Sequence, residues 1–461
     1  MLDRKEIERA VMHQIAIDPL TKKSPLEIDS IVSEALTALS ANIFDFSKYS
    51  SLVVRKDGKS RYVKRYEDPY APESILCQCI KQILDRTHRV RYPNRNKTIR
   101  YLFDILPAVI QMTDFTIVKI DFKDFFNSVS TVYVFEKCLS EQLLNRAEKD
   151  LIKKFVVETQ YTYAGLNTSN AIAEIIAKCF DKAIHIEFQS RGIVYYDRYV
   201  DDCLLILNQH IDQTEIDNII YRIVENVFRD PAIKTKKKCK TRLNKAKSKY
   251  LSRRTITNAA GAITVDFLGY LFSFEASGNK VDLKYGITQE KRNKYNKRID
   301  KIIESYITPT SVDFQNLELL RHRISAFTSR TVYMSRHYSS TIWKTKGFIS
   351  NYNQLRYMID AKLLHHDTEV YLKNMVDEAF IRAGIDKPYF LKSQPSEKNG
   401  YNLFGNLQTN KSIILVENVG YDYRALSNLC QKVGIANEID GKRRSYRDLV
   451  RQYLIKVKVG Y

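Results

Sequence analysis

Apolar and polar positions along the chain change their period several times, and each change marks an element. Residues 4–17 and 25–40 carry apolar positions at helical spacing, the second opened by the helix-start pair Ser24-Pro25. Residues 51–66 are basic and β-prone, with a turn at Asp57-Gly58. A helical pattern at 72–87 leads into Arg91 to Arg100, whose Pro93-Asn94-x-Asn96 core predicts a hairpin tip. Thr116 to Asp121 reads as a strand, followed by a helix at 128–148, a polar loop from Thr159 to Asn170, and a helix at 170–190. Gly192 to Tyr196 and Cys203 to Leu207 predict two short buried strands, with Tyr199-Val200-Asp201-Asp202 at the turn between them. A helix at 212–228, a basic run and a glycine-broken strand pair at 265–272 follow. Beyond 288 the spacing predicts helices at 290–306, 316–328 and 352–364. The Pro/Ser/Asn/Gly stretch at 387–402 is the clearest late boundary; 403–416 reads as short strands, and 421–435 and 443–457 as helices.

Chemistry enters at the acidic turn. Two adjacent carboxylates flanked by aliphatic strands are costly unless a cation neutralises them. A solvated turn is the plain alternative. A second acidic strand end, Asp121 closing Thr116-Ile117-Val118-Lys119-Ile120, favours a shared site. Brought to one edge, Asp121, Asp201 and Asp202 make a set of hard oxygen donors suited to Mg²⁺.

The 461 residues suffice for two or three domains. Against 53 Asp and Glu stand 74 Lys and Arg, a net charge of +21 that points to a polyanionic partner, nucleic acid above all. The cations cluster: eleven lie between Lys234 and Arg254 without an acid, and others concentrate at Arg55–Arg65, Arg86–Arg100 and Arg321–Lys346. Thirty tyrosines supply faces for unpaired bases. The seven cysteines are scattered, and Cys77-x-Cys79 has no partner pair at zinc spacing, so neither a metal cluster nor a disulfide framework is expected. The charged start, Met1 to Glu6, is not a signal peptide, and no apolar run reaches membrane length. The expectation is a cytoplasmic protein with no membrane partner.

In order, the strand ending at Asp121, the Gly165 loop and helix, the Tyr199-Val200-Asp201-Asp202 hairpin, the lysine-rich segment and Phe267-Leu268-Gly269-Tyr270 resemble the palm of reverse transcriptases over roughly residues 90–275. The resemblance implies an α+β right-hand polymerase: fingers, a palm with an antiparallel sheet, a helical thumb and a C-terminal extension. It apportions the chain as an N-terminal helical extension (1–50), fingers and palm (51–285), thumb (286–365) and an extension of unknown role (366–461). It implies Asp121 and Asp201 as ligands of two Mg²⁺, with Mn²⁺ as a substitute, Asp202 as a supporting carboxylate, and the Phe122 carbonyl in one metal shell. Asp124 and Asp197 do not fall on ligand positions. Phe126 matches the aromatic gate against a ribose 2′-hydroxyl, which implies dNTP substrates and a DNA product. Arg95, Lys97 and Arg100 resemble fingers cations that hold a triphosphate. Thr168 and Ser169 would lie beside the nascent base pair, or cap a helix N-terminus. Lys247, or else Lys240, would protonate pyrophosphate. Phe267, Leu268, Gly269 and Tyr270 would form the primer grip, and Arg321 to Trp343 a surface for the duplex backbone or simply a bundle face.

One departure narrows the branch. Gly165-Leu166-Asn167-Thr168-Ser169-Asn170 stands where intron-encoded and retron enzymes carry Pro-Gln-Gly. It is similar instead to the abortive-infection and unknown-group reverse transcriptases of bacterial antiphage defence, although Asn167 replaces their usual Pro. That branch implies a structured non-coding RNA and nascent DNA as partners, with a second reverse transcriptase or another copy of the chain as further candidates. The rival readings are an intron- or retron-type enzyme, a template-independent or protein-templated polymerase, and an RNA-binding scaffold without catalysis.

Overall fold

The computed structural model describes residues 2–17, 23–56, 59–141, 144–232, 241–337, 340–392, 400–439 and 441–458. Helices make up 53% and strands 19%, so the protein is a mixture of helix and sheet, as the changing periods predict. It divides into two compact units between Asn258 and Ala259, inside the span assigned from sequence to fingers and palm.

The first unit opens with helices α1 (Arg4–Ile17) and α2 (Pro25–Ala41), a hairpin of strands β1 (Ser50–Lys56) and β2 (Lys59–Arg65), and helices α3 (Pro72–Thr87) and α4 (Arg95–Val109). Strand β3 (Thr116–Lys123) is followed by short turns α5 (Phe125–Ser128) and α6 (Thr131–Val134), then by α7 (Arg146–Thr159) and the long α8 (Asn167–Gln189). Strands β4 (Ile193–Tyr199) and β5 (Asp202–Leu207), helix α9 (Gln213–Phe228), strands β6 (Arg242–Leu243) and β7 (Lys249–Ser252), and α10 (Arg253–Thr257) complete it. The sheet runs β4-β5-β3-β6, with β7 also on β3, and every pairing is antiparallel. One face of β3 and β5, carrying Val118, Ile120, Phe122, Cys203, Leu205 and Leu207, shares a core with Phe180 and Ile184 of α8 and Ile220 and Phe228 of α9.

The second unit contains a sheet of β8 (Ile263–Phe267), β9 (Tyr270–Ser277) and β10 (Lys280–Ile287), then α11 (Gln289–Ile307) and α12 (Leu317–Thr328). A hairpin of β11 (Arg330–His337) and β12 (Ser340–Lys346) precedes α13 (Phe348–Tyr352), α14 (Leu355–Asp360), α15 (His366–Arg382), α16 (Tyr389–Lys392) and α17 (Leu403–Gln408). Strand β13 (Ser412–Leu415) pairs in parallel with β11. Helix α18 (Tyr423–Lys432), a small hairpin of β14 (Glu438–Ile439) and β15 (Lys442–Arg443), and α19 (Tyr446–Lys456) end the unit. Tyr333, Leu415, Leu426, Cys430, Leu449 and Tyr453 pack in its core.

Five expectations are corrected. The supposed hairpin tip at 93–100 is the start of α4, where the Asn94 side chain accepts from the amides of Asn96 and Lys97. Turn-forming Asn is equally a helix N-cap, and the buried Ile99, Leu102, Phe103 and Leu106 that follow decide the matter. The single helix at 128–148 breaks up. Its β-branched Val129, Thr131, Val132 and Val134 disfavour a continuous helix, and an Asn145/Glu148 capping box starts α7 instead. The segment read as a helical thumb contains the β11–β12 hairpin, because Thr331-Val332-Tyr333 and Thr341-Ile342-Trp343 favour strand; of the helix expected at 352–364 only the short α14 forms, after α13 ends at Tyr352. Residues 403–416 form α17 before their one strand. The Asp57-Gly58 turn lies outside the described residues.

The interaction that ties β4 to α8 is ionic. All five N–H groups of Arg198 have acceptors: Nη1 and Nη2 grip Glu174 at 3.0 and 2.8 Å, Nε and Nη2 grip Asp181 at 2.8 and 3.0 Å, and Nη1 also donates to Val200 O at 3.0 Å. Tyr196 Oη donates to Asp181 at 2.7 Å. The Arg198 and Glu174 side chains are 5% and 6% exposed, so removing one strands the other. Arg198→Met should therefore destabilise the first unit by about 3–5 kcal/mol, and Arg198→Lys should recover only part of that loss. Urea unfolding of the full chain, with amide exchange followed at 193–207, checks this; unchanged protection there refutes it.

Candidate active site

The acidic turn is strained. Tyr199 and Asp202 face each other in register, so Val200 and Asp201 form a two-residue hairpin loop. Val200 has φ +60°, at a position of such loops where glycine is usual. A β-branched residue there costs about 1–3 kcal/mol and persists only where its surroundings hold it. Arg198 does so through Val200 O, and Phe122 N donates to Asp201 O at 3.3 Å.

Register brings the acids together. Asp121 on β3 lies opposite Asp202 on β5, and Lys119 lies opposite Leu204. The two-residue period of strands therefore puts Lys119, Asp121 and Asp202 on one face, opposite the one buried against the helices. Asp121 is only 4% exposed. Its Oδ1 is buried without a hydrogen-bond partner, and its Oδ2 lies 3.5 Å from Lys247 Nζ. Burial pushes the Asp202 carboxyl up to about 7; Lys119 opposes the shift, while Asp201 and Asp121 add to it. Among the described residues, no group of three or more acidic, His or Cys side chains is arranged to hold a metal ion. The donors are all hard oxygens, however, and one Asp121 oxygen is left without a hydrogen-bond partner beside a carboxyl raised by burial and by its acidic neighbours.

Lys247 reaches Asp121 through a tight turn. Lys247 N and Ser248 N both donate to Asn244 O, at 3.0 and 2.9 Å, while Asn244 N donates to Asp121 O at 2.7 Å. Lys240, its rival in the sequence, lies outside the described residues, as do all of 233–240. Phe122 has its ring in the core, between Phe125, Phe180 and Phe228, so only its backbone is available to the site. Asp124, with φ +52°, turns the chain after β3. Phe125 is buried and Phe126 half-buried, and the Phe126 carbonyl accepts from Thr162 Oγ1 at 2.7 Å.

The remaining candidates fall in several places. Thr168 and Ser169 are buried in the first turn of α8, whose N-cap is Leu166, so neither hydroxyl caps that helix. Thr168 Oγ1 donates to Cys77 O of α3 at 2.9 Å, and Ser169 Oγ is buried without a partner. Arg95, Lys97 and Arg100 occupy the first turns of α4. Lys97 lines an open cleft of about 1030 Å³ with Arg91, Tyr101, Tyr195 and Arg198; none of the three aspartates lines it. Arg100 is exposed beside Asp104 at 3.9 Å. In the second unit, Leu268 and Gly269 form a two-residue loop with φ +51° and +84°, between buried Phe267 and Tyr270. Tyr270 Oη donates to Asn351 O at 2.9 Å.

The sequence reading missed Arg198, Glu174, Asp181 and Lys119. Their signals were present: Glu174 and Asp181 stand seven apart on one helix face, and Lys119 interrupts an apolar strand two residues before Asp121. It also left the basic β1–β2 hairpin without a role. Lys64 N donates to Ala164 O at 2.8 Å, and Lys64 Nζ lies 3.5 Å from the centroid of the Tyr163 ring. Gly165, with φ +106°, lets β2 pass so close that any side-chain carbon there would strike Lys64 O. This cationic hairpin therefore docks against the loop that starts α8.

Neither a family model nor a curated protein matches the chain. Among solved structures, it is similar to telomerase from Candida albicans in complex with a TWJ fragment of telomeric RNA, at 13% identity and TM-score 0.38, over 84% of this chain and 62% of that one. The corresponding Candida tropicalis complex matches at 10% identity and TM-score 0.32, over 94% and 68%. Apo telomerase from Candida tropicalis, truncated from the C-terminal domain, matches at 12% identity and TM-score 0.32, over 50% and 53%. The chain thus spans between about half and two thirds of these polypeptides, and the geometry of the site carries the functional reading.

Proposed function

We propose that the protein is an RNA-directed DNA polymerase of bacterial antiviral defence, working in the cytoplasm on dNTPs with an associated non-coding RNA. The observation that carries the polymerase reading is the convergence of Asp121 and Asp202 on one sheet face beside a strained Val200-Asp201 turn, with one Asp121 oxygen unsatisfied. Asp121, Asp201, Asp202 and the Phe122 carbonyl are the groups that would hold two Mg²⁺ or Mn²⁺. Bound there, such ions activate the primer hydroxyl and neutralise charge on the leaving pyrophosphate. Lys247, beside Asp121, is the group this reading assigns to protonating the pyrophosphate. Phe126 presses on the sugar. Arg95, Lys97 and Arg100 of α4 are the cations this reading assigns to the triphosphate, and the basic β1–β2 hairpin docked on the Gly165 loop is a further candidate. The division into fingers and palm (51–285), thumb (286–365) and flanking extensions belongs to the same proposal.

Asp121→Ala or Asp201→Ala should lower dNTP incorporation by about a thousandfold or more, the scale on which single charge-neutralising groups act. RNA binding should survive, which separates this reading from the scaffold. Incorporation near the wild-type rate by folded Asp201→Ala would remove the site from consideration.

For Phe126, the expected outcome of Phe126→Ala is ribonucleotide incorporation at little cost in overall rate. Discrimination that stays intact in the variant makes Phe126 a packing residue only.

The defence role is supported by the Gly165 to Glu174 segment. Expressed from its native locus, the protein should lower phage plating, and Asp201→Ala should abolish that protection while leaving bound RNA in place. Equal plating with and without the locus across a broad phage panel points instead to a mobile-element enzyme.

A further inference from the structure

The β11–β12 hairpin replaces expected helix and presents an unusual surface. Its root is fixed: β13 pairs with Arg330 to Tyr333, Tyr333 packs in the core, and Thr345 Oγ1 meets Ser350 Oγ at 2.6 Å. Beyond the reach of β13, the first cross-strand pair is Met334 opposite Trp343. These two are 45% and 53% exposed, on the sheet face opposite Tyr333. Ile342, on the other face, is also exposed.

A half-exposed Trp beside a half-exposed Met on a strand pair is an aromatic platform suited to a flat, apolar partner. The charge around it selects that partner. Within the hairpin itself, Arg330 to Lys346 carries four Lys and Arg and no Asp or Glu. A run so one-sided attracts a polyanion and repels a second copy of itself. Unpaired nucleobases linked by phosphates satisfy both features, because every base offers a face for stacking and every linkage a negative charge. A duplex hides its base faces and fits less well. We infer that the Met334–Trp343 face is a stacking platform for the unpaired bases of a nucleic-acid strand. This deepens the nucleic-acid reading above and does not depend on polymerisation.

The test uses the fact that Trp343 is the chain's one tryptophan. Intrinsic fluorescence of the full-length protein should be quenched saturably by oligo(rU) or oligo(dT), and much less by a blunt duplex of equal length. Comparing the RNA and DNA strands identifies which of them the platform takes. By anisotropy of labelled strand, Trp343→Ala should weaken binding about five- to a hundredfold, the worth of one base–aromatic stack, and Trp343→Phe should retain most of the affinity. Asp201→Ala should quench like wild type, so failure of the polymerase reading and failure of the platform are separable. Strand binding that leaves the emission unchanged overturns the proposal. So does an emission shift that follows protein concentration without nucleic acid, which would show a second copy covering the face.

Discussion

Everything at the acidic turn depends on one guanidinium. Arg198 lies where β4 meets the turn, and its planar fork satisfies two carboxylates of α8 and one carbonyl of the loop at once. A lysine has three donors on a point charge and cannot make that set of contacts. Because Arg198 and Glu174 are both buried, that pair is shielded from water, and the position of Val200 O follows from the position of α8. This is how a valine with φ +60° stays in a conformation it would otherwise leave. The helix, through the arginine, fixes the loop, and the loop fixes where Asp201 and Asp202 begin.

The sheet adds a second constraint, electrostatic in kind. Its face holds Lys119 and Asp121 on β3, Asp202 on β5, and Lys249 on β7 opposite Lys119. Lys247 approaches from the adjoining turn. Positive and negative side chains therefore alternate over a few ångströms, and they do not cancel. Burial and two neighbouring aspartates hold the Asp202 carboxyl near 7 despite Lys119. A cation added beside Asp121 and Asp202 would relieve the mutual repulsion of the carboxylates at Asp202.

Much of this was legible in the sequence, for reasons that can be stated element by element. The strands were readable because their apolar runs are short and bounded by turn residues, so the opposition of Asp121 and Asp202 followed once β3 and β5 were placed side by side. Helices α1, α2, α3 and α9 were readable from spacing and start signals. What failed was local signal with two meanings. Asn94 serves a turn and a helix cap equally, and only the buried face of α4 decides between them. Tyr, Thr and Arg between 330 and 346 serve an amphipathic helix or a hairpin, and pairing with the distant β13 settles the choice. Arg198 was invisible for another reason: its partners are 24 and 17 residues away on α8, and nothing in a one-dimensional pattern says that they converge.

The costs gathered at the site bear on what it is for. An αL valine stores about 1–3 kcal/mol, and an unsatisfied buried carboxylate oxygen at Asp121 adds a penalty of similar size. Asp202 is held against its own charge by burial. Each cost could be relieved by one ordinary substitution: glycine at 200, asparagine at 121, or an apolar residue at 202. A scaffold that only binds RNA gains nothing from the three together, because RNA is recognised by cations and aromatic faces, both of which the chain carries elsewhere in abundance. A polymerase gains the geometry itself, since carboxylates held in place before substrate arrives need no reorganisation when charge develops in the transition state. The strain, the orphaned oxygen and the raised carboxyl are together what the proposed polymerase site would use.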